Sequence, residues 1–281
     1  MSTYSSQFEP NFVTCHMVGR LGNQMFQIAN VYAQSLRHKR QLVLPRHDTS
    51  VSDYYDTVHR KLQFLLDKSP EPGENVHTIH ATYHYNQYTP HPSKPTVFRG
   101  YFESEKYFKD YAKEVKELFG PTEEFINQAY QDYPQLKNGT NAVINVRRGD
   151  FLNFPRRHPV ISASYIHKAA EMLPKVDTIF VVSDDLQWCR ENIKLPNTVF
   201  INYERHKALW FLSLCQNFVI SNSTFTWWGA YLSNYPEKKV IIPGVWFGPD
   251  ALFDLNPKDV YCDGWVKCPA VYDPSGFILP A

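Results

Sequence analysis

The run Ala142-Val143-Ile144-Asn145-Val146-Arg147-Arg148-Gly149-Asp150 reads as a buried strand that empties into a charged loop. Four of its first five residues are apolar and three are β-branched, which suits a strand covered on both faces. The same rhythm repeats downstream. Residues 178–182, 198–201, 218–220 and 240–242 are short apolar runs, and residues 164–173, 186–193, 206–215 and 224–232 carry helical spacing between them. Short strands alternating with helices build a parallel sheet through right-handed crossovers. Residues 141–250 are therefore expected to form a Rossmann-type domain, and residues 251–281, rich in Pro and aromatic side chains, a tail packed on the body.

Upstream, the polar stretch 131–141 (QDYPQLKNGTN) is expected to be an inter-domain linker. It leaves residues 11–131 as an N-terminal domain. There, residues 11–17 and 41–44 read as strands, and Met25, Ile28, Ala29, Tyr32, Ala33 and Leu36 mark one apolar helical stripe. Residues 54–67 and 106–119 are expected to be further helices, the second stopped by Gly120 and Pro121. At roughly 150 residues per domain, the 281-residue chain agrees with a division in two.

Composition excludes several classes of function. With 19 Phe, 18 Tyr and 6 Trp the chain is far from the aromatic-poor make-up of disorder. Lys plus Arg total 29 and Asp plus Glu 28, a net charge of +1, so no basic field exists to draw in nucleic acid or anionic lipid. The longest apolar run, residues 208–212, falls far short of the roughly 20 residues that span a bilayer. The first dozen residues lack the apolar centre of a signal peptide. A soluble or cytoplasmic protein is expected. The five cysteines are scattered, without CxxC spacing, which favours a reducing compartment.

Ligands of open parallel sheets bind beyond the carboxyl ends of the strands. Three polar clusters share that address: Arg147-Arg148-Gly149-Asp150, Ser183-Asp184-Asp185 and Ser221-Asn222-Ser223-Thr224. Arginine forks and a helix N-terminus suit a diphosphate, and carboxylates suit the N–H edge of guanine. Each piece also has a purely structural reading, the arginines as a solvated pair and the Ser/Asp clusters as helix N-caps. Recurrence at equivalent strand ends favours a nucleoside-diphosphate site that needs no metal.

Other patterns carry less. Gly19 to Gly22 matches a GxxG loop but lacks the basic framework of an RNA-binding module. Arg148-Gly149-Asp150 spells an adhesion tripeptide pressed against a core strand. His77, His80 and His84 lie close in sequence, yet in an extended segment His77 faces away from the other two and no Cys completes a zinc site. Walker A and Asp-x-Asp sequences are absent.

The motifs Gly19-Arg20-Leu21-Gly22-Asn23-Gln24-Met25-Phe26-Gln27, Val146-Arg147-Arg148-Gly149-Asp150, Val182-Ser183-Asp184-Asp185 and Ser221-Asn222-Ser223-Thr224-Phe225-Thr226-Trp227-Trp228-Gly229-Ala230 occur in one order along the chain. With Gly100-Tyr101-Phe102-Glu103-Ser104-Glu105-Lys106-Tyr107-Phe108 between them, they resemble the α-1,2-fucosyltransferases of glycosyltransferase family 11. The resemblance implies a GT-B-like α/β fold of two Rossmann-type domains facing across a cleft, and inverting transfer of fucose to an acceptor glycan, a galactoside. It further implies GDP-fucose as donor, with neither metal nor cofactor.

Carried over by position, Arg147 matches the arginine that binds the donor pyrophosphate, with Arg148 in support. Asp184 and Asp185, after Ser183, fall in the motif that recognises guanosine. Ser221, Asn222, Ser223 and Thr224 fall where hydroxyls and amides hold phosphate, and Asn23 belongs to a loop that faces the cleft. Asp150 is the positional candidate for a general base, with pairing to Arg148 as its structural reading. One position departs from the pattern: the family usually has His two residues before the first Arg, where this chain has Asn145. Asn donates a hydrogen bond but carries neither proton nor positive charge. The alternatives are therefore a transferase for a different GDP-sugar, or a non-catalytic binding relative.

Overall fold

The structure, a computed structural model, describes residues 8–46, 54–62, 64–252 and 255–281. Its contacts divide the chain into two units. One comprises the described residues up to Phe119 together with Lys258–Val260, and the other Gly120–Pro257 and Tyr261–Ala281.

The first unit opens with β1 (Val13–Cys15), which leads through Gly19 into α1 (Leu21–His38). Gly19 sits at φ +77, and a Cβ there would lie 2.5 Å from Asn23 Nδ2, so this turn requires glycine. Of the stripe expected from its spacing, helix α1 buries Met25, Ile28, Ala29 and Ala33, while Tyr32 is half-buried and Leu36 is exposed near the helix end. Leu21 and Phe26 are buried as well. It ends where Lys39 turns left-handed and its N–H reaches the carbonyls of Leu36 and Ser35. Next come β2 (Leu44–Pro45), β3 (Leu65–Leu66), β4 (His77–His80), β5 (Thr96–Arg99) and α2 (Ala112–Phe119). Strands β1, β5 and β4 form a parallel sheet in that order, and β2 pairs with β3, also in parallel.

Two segments expected to be helices fold differently. Residues 54–61 form turns, because the Tyr54 carbonyl accepts from both Thr57 and His59, and Leu65–Leu66 leaves to pair with β2. Residue 63 of that stretch lies outside the described residues. Before α2 the chain makes two short 3-10 turns, Glu105–Tyr107 and Lys109–Tyr111, so only the last part of the expected 106–119 helix is α-helical.

The second unit begins earlier than the polar 131–141 stretch. Helix α3 (Glu123–Asp132) lies in it, and the Tyr203 hydroxyl donates to Asp132 Oδ2 at 2.6 Å. The stretch expected to link two domains thus runs inside one. Then follow β6 (Asn141–Val146), β7 (Val160–Ile161), α4 (Ala163–Glu171), β8 (Thr178–Ser183), α5 (Leu186–Asn192), β9 (Thr198–Ile201), α6 (Arg205–Ser213), β10 (Asn217–Val219), α7 (Thr224–Leu232), β11 (Val240–Pro243) and α8 (Pro249–Leu252). The chain closes with β12 (Val266–Cys268), β13 (Ala270–Tyr272) and β14 (Phe277–Pro280).

The main sheet is six-stranded and all parallel, in the order β12-β11-β10-β6-β8-β9. Ile144, Val181, Val219 and Ile241 from its strands pack with Tyr165, Ile166 and Ala169 of α4 and with Cys189 and Ile193 at α5. Residues 251–281 do more than lie on the body: β12 extends the main sheet, and β13 and β14 form a second sheet with β7. All five cysteines are buried thiols. Among the described residues, no helix is long and apolar enough to cross a membrane.

Candidate functional site

From β6 the chain winds one way to β8 and β9, then returns to the other side for β10, β11 and β12. The switch point therefore lies between β6 and β10, where such sheets open a crevice beyond the strand ends. The three polar clusters follow β6, β8 and β10, three adjacent strands, so the structure brings them to one edge of the sheet.

The arginines are not a solvated pair. Arg147 donates from Nη1 to Asp184 Oδ2 at 2.5 Å and from Nη2 to Asp150, and its guanidinium lies 5.4 Å from the Phe151 ring centre. Arg148 is 8% exposed, lies 3.9 Å over the Trp188 ring and donates from Nε to Asp185 Oδ2 at 3.1 Å. Its Nη1 is buried without a hydrogen-bond partner. A charged donor kept from water and unpaired is costly, and a ligand anion would relieve that cost. Gly149 lets the two loops meet, since a Cβ there would lie 2.5 Å from Asp184 Oδ2.

The carboxylates are committed within the protein. Asp184 accepts the Arg148 backbone N–H on Oδ1 at 2.9 Å and Arg147 on Oδ2. Asp185 caps α5 by accepting from Trp188 N on Oδ1 at 3.1 Å, and its own N–H donates to Ser183 Oγ at 2.9 Å. Asp185 thus fills its N-cap reading in full. Asp150 pairs with Arg147, not with Arg148 as its structural reading held.

Asn145 is 5% exposed and bonded at both side-chain polar atoms. Its Nδ2 donates to Val182 O at 3.1 Å, and its Oδ1 accepts from Ser221 Oγ at 2.9 Å and from Thr226 Oγ1. Asn222 donates to Pro159 O and Trp246 O, both at 3.0 Å, while its Oδ1 is buried without a partner. Ser223 is the N-cap of α7 but makes no side-chain capping bond. The helix start carries the positive end of the α7 dipole, which favours an anion.

The sequence matches the family model for glycosyl transferase family 11 over residues 3–268. The chain belongs to that family. It is a glycosyltransferase. An alpha-1,2-colitosyltransferase of Escherichia coli is 26% identical over 92% of this chain and 99% of its own. A galactoside alpha-(1,2)-fucosyltransferase 2 of Rattus norvegicus is 26% identical over 93% of this chain and 78% of its own. The NodZ alpha-1,6-fucosyltransferase co-crystallized with GDP superposes with a TM-score of 0.50 at 13% identity, over 80% of this chain and 93% of that one. That likeness is one of fold, the GT-B-like α/β class expected from the sequence.

In this family-11 chain, three site neighbours escaped the sequence reading. Trp188 carries Arg148, Phe151 carries Arg147, and His158 stacks on Phe151 at 4.9 Å and 22°. Burial pushes the His158 imidazole below its usual pKa, and the charge of Arg157 adds to the effect. No periodicity marks these residues; the signal is only that aromatics sit one to eight positions from the charged clusters. Asn23 lies in the first turn of α1, in the first unit. Among the described residues no group of three or more His, Cys, Asp or Glu is assembled to hold a metal ion.

Proposed function

We propose that this glycosyltransferase moves L-fucose from GDP-fucose to a glycan hydroxyl, a galactoside in α-1,2 linkage, with inversion and without a metal ion. The observation that carries the reading is Arg148. A buried guanidinium stacked on Trp188, with one nitrogen unpartnered, stands at the switch point, at the end of the strand beside the one that leads into α7. Anionic diphosphate is the ligand class that such a site suits.

Cleavage of the sugar–phosphate bond leaves negative charge on GDP and oxocarbenium character on the sugar. Arg147, Arg148 and the positive end of the α7 dipole, at Ser223 and Thr224, would meet that charge. Each acidic partner takes one N–H of Arg147, and the fork has five, so donors remain for phosphate oxygens. Asp184 and Asp150 then act as orienting groups, with Asp150 also proposed to accept the acceptor proton. Asp184 and Asp185 would reach guanine only by giving up a present partner. Asn23 is carried as a further catalytic residue on its place in the family loop alone.

Transfer of a different sugar is a second reading, favoured by the colitosyltransferase relative and by Asn145 at the family's His position. One experiment separates the readings: GDP release from a panel of GDP-sugars in EDTA, with and without β-galactosides, and the anomeric configuration of the product by NMR. Turnover of GDP-fucose to an α-linked product supports the proposal. Turnover only with another donor supports the second reading, and binding without turnover overturns both.

A further inference from the structure

We infer that the first unit holds a second saccharide site: a neutral pyranose ring bound between the C-terminal turns of α1 and the 85–89 loop. A cavity of about 170 Å³ is lined there by Gln34, Arg37, Tyr85, Asn86, Tyr88 and Asp110, among others. Drug-sized ligands need roughly 300 Å³ or more, so a single ring is the fitting size.

Gln34 points to a missing ligand. It is 2% exposed, its Nε2 donates to Tyr88 O at 3.3 Å, and its Oε1 is buried without a hydrogen-bond partner. An acceptor left so costs stability unless a bound hydroxyl or water satisfies it. Gln34, part of the cavity wall, therefore has an unused acceptor, and hydroxyls are groups that can donate to it.

The rest of the wall fits a sugar better than an ion or a base. Tyr107 and Tyr88 are parallel, 4° apart at 6.4 Å, with Tyr85 edge-on to Tyr107 at 4.9 Å. Aromatic walls take the C–H face of a pyranose, while the amides of Gln34, Asn86 and Gln87 serve its hydroxyls. The two cations are already faced by acids, Arg37 by Asp110 at 3.5 Å and Lys106 by Asp259 at 2.5 Å. That balance leaves no excess charge to select an anion. The site is also remote from the family loop of Asn23. Arg37 lies fourteen residues further along the 18-residue α1, about 20 Å at a rise of about 1.5 Å per residue. A glycan held here is held by a part of itself that does not react.

The test is ¹⁹F NMR of the full chain carrying 3-fluorotyrosine, titrated with methyl β-D-galactopyranoside. Tyr85→Phe and Tyr88→Phe identify the two resonances. The inference expects both to shift in a saturable way, with Gln34→Met raising the half-saturation concentration by about tenfold, the loss of one hydrogen bond. Gln87→Ala, on the exposed rim, should weaken binding in a fold that is left undisturbed. Arg147→Ala should leave the titration unchanged, so that this site and the transferase reading fail separately. No shift at Tyr85 and Tyr88, an unchanged titration in both variants, or a response to guanosine in place of the galactoside would overturn the inference.

Discussion

Asp185 is shared between Arg148 and a helix: Oδ2 accepts from Arg148 Nε at 3.1 Å while Oδ1 accepts from Trp188 N, also at 3.1 Å. One carboxylate therefore fixes both the start of α5 and the guanidinium that stacks on that helix's Trp188. The two duties can be taken apart. Asn is as good an N-cap as Asp but has no charge to give Arg148, whereas Ala loses both. Both variants lose the charge that faces Arg148, so Asp185→Ala should cost more than Asp185→Asn in urea denaturation by about 0.5–2 kcal/mol, the worth of the cap alone. Equal losses in the two variants would show that the cap carries nothing.

Arg147 tests the chemistry. Its side chain is partly exposed and held by two carboxylates, so its removal opens no cavity in the core. Loss of one preorganised donor to a developing charge typically slows an enzyme by about 10²–10³, roughly 2.7–4 kcal/mol. Arg147→Ala should abolish measurable transfer while the circular-dichroism melt stays close to that of the unaltered chain. Near-normal turnover would sink the assignment of this loop to the donor diphosphate.

The regions that could and could not be read in the sequence differ for a physical reason. The helix Thr224–Leu232 is expected at those very residues, and β6 within one residue, because each is a mostly apolar run between polar clusters and is buried almost throughout. The clusters beyond β6, β8 and β10 were legible because a parallel sheet puts every strand end on one side. The turns at 54–61 were not, since Val58 and Leu62 repeat at helical spacing while the backbone bonds go elsewhere. The placement of β4 and β5 beside β1 depends on partners distant in sequence. Nor does any local pattern reveal that Arg148 stacks on Trp188, or that Asp184 and Asp185 spend their oxygens on the two arginines and a cap.

The Asn145 side chain ties three elements together. Its amide links the Val182 carbonyl of β8 to the hydroxyls of Ser221 and Thr226 at the start of α7. Asn145→Ala would leave these buried groups unsatisfied, and each such loss costs about 1–3 kcal/mol. The variant should lose about 2 kcal/mol or more in denaturant titration. A loss under about 0.5 kcal/mol, the size of an ordinary surface change, would refute a structural role for this residue.

Glu103 makes stability depend on pH in an unusual direction. Its side chain is buried in the first unit and accepts from the Tyr83 hydroxyl. Burial raises its pKa from 4.5 to about 7, an effect the Tyr83 hydrogen bond only partly offsets. Between those two values the folded chain holds a proton that the unfolded chain has released, so folding takes up a proton. By linkage this group favours the fold at low pH and withdraws that support as pH rises from about 4.5 to 7. The withdrawn part is about 3 kcal/mol at 1.36 kcal/mol per pKa unit. Gln at this position can still accept from Tyr83 but does not ionise. Glu103→Gln should therefore match the unaltered chain near pH 4.5 and exceed it by up to about 3 kcal/mol at pH 8, read as the difference between two urea-denaturation series. A difference that stays flat across that range would show that Glu103 is solvated in the folded protein.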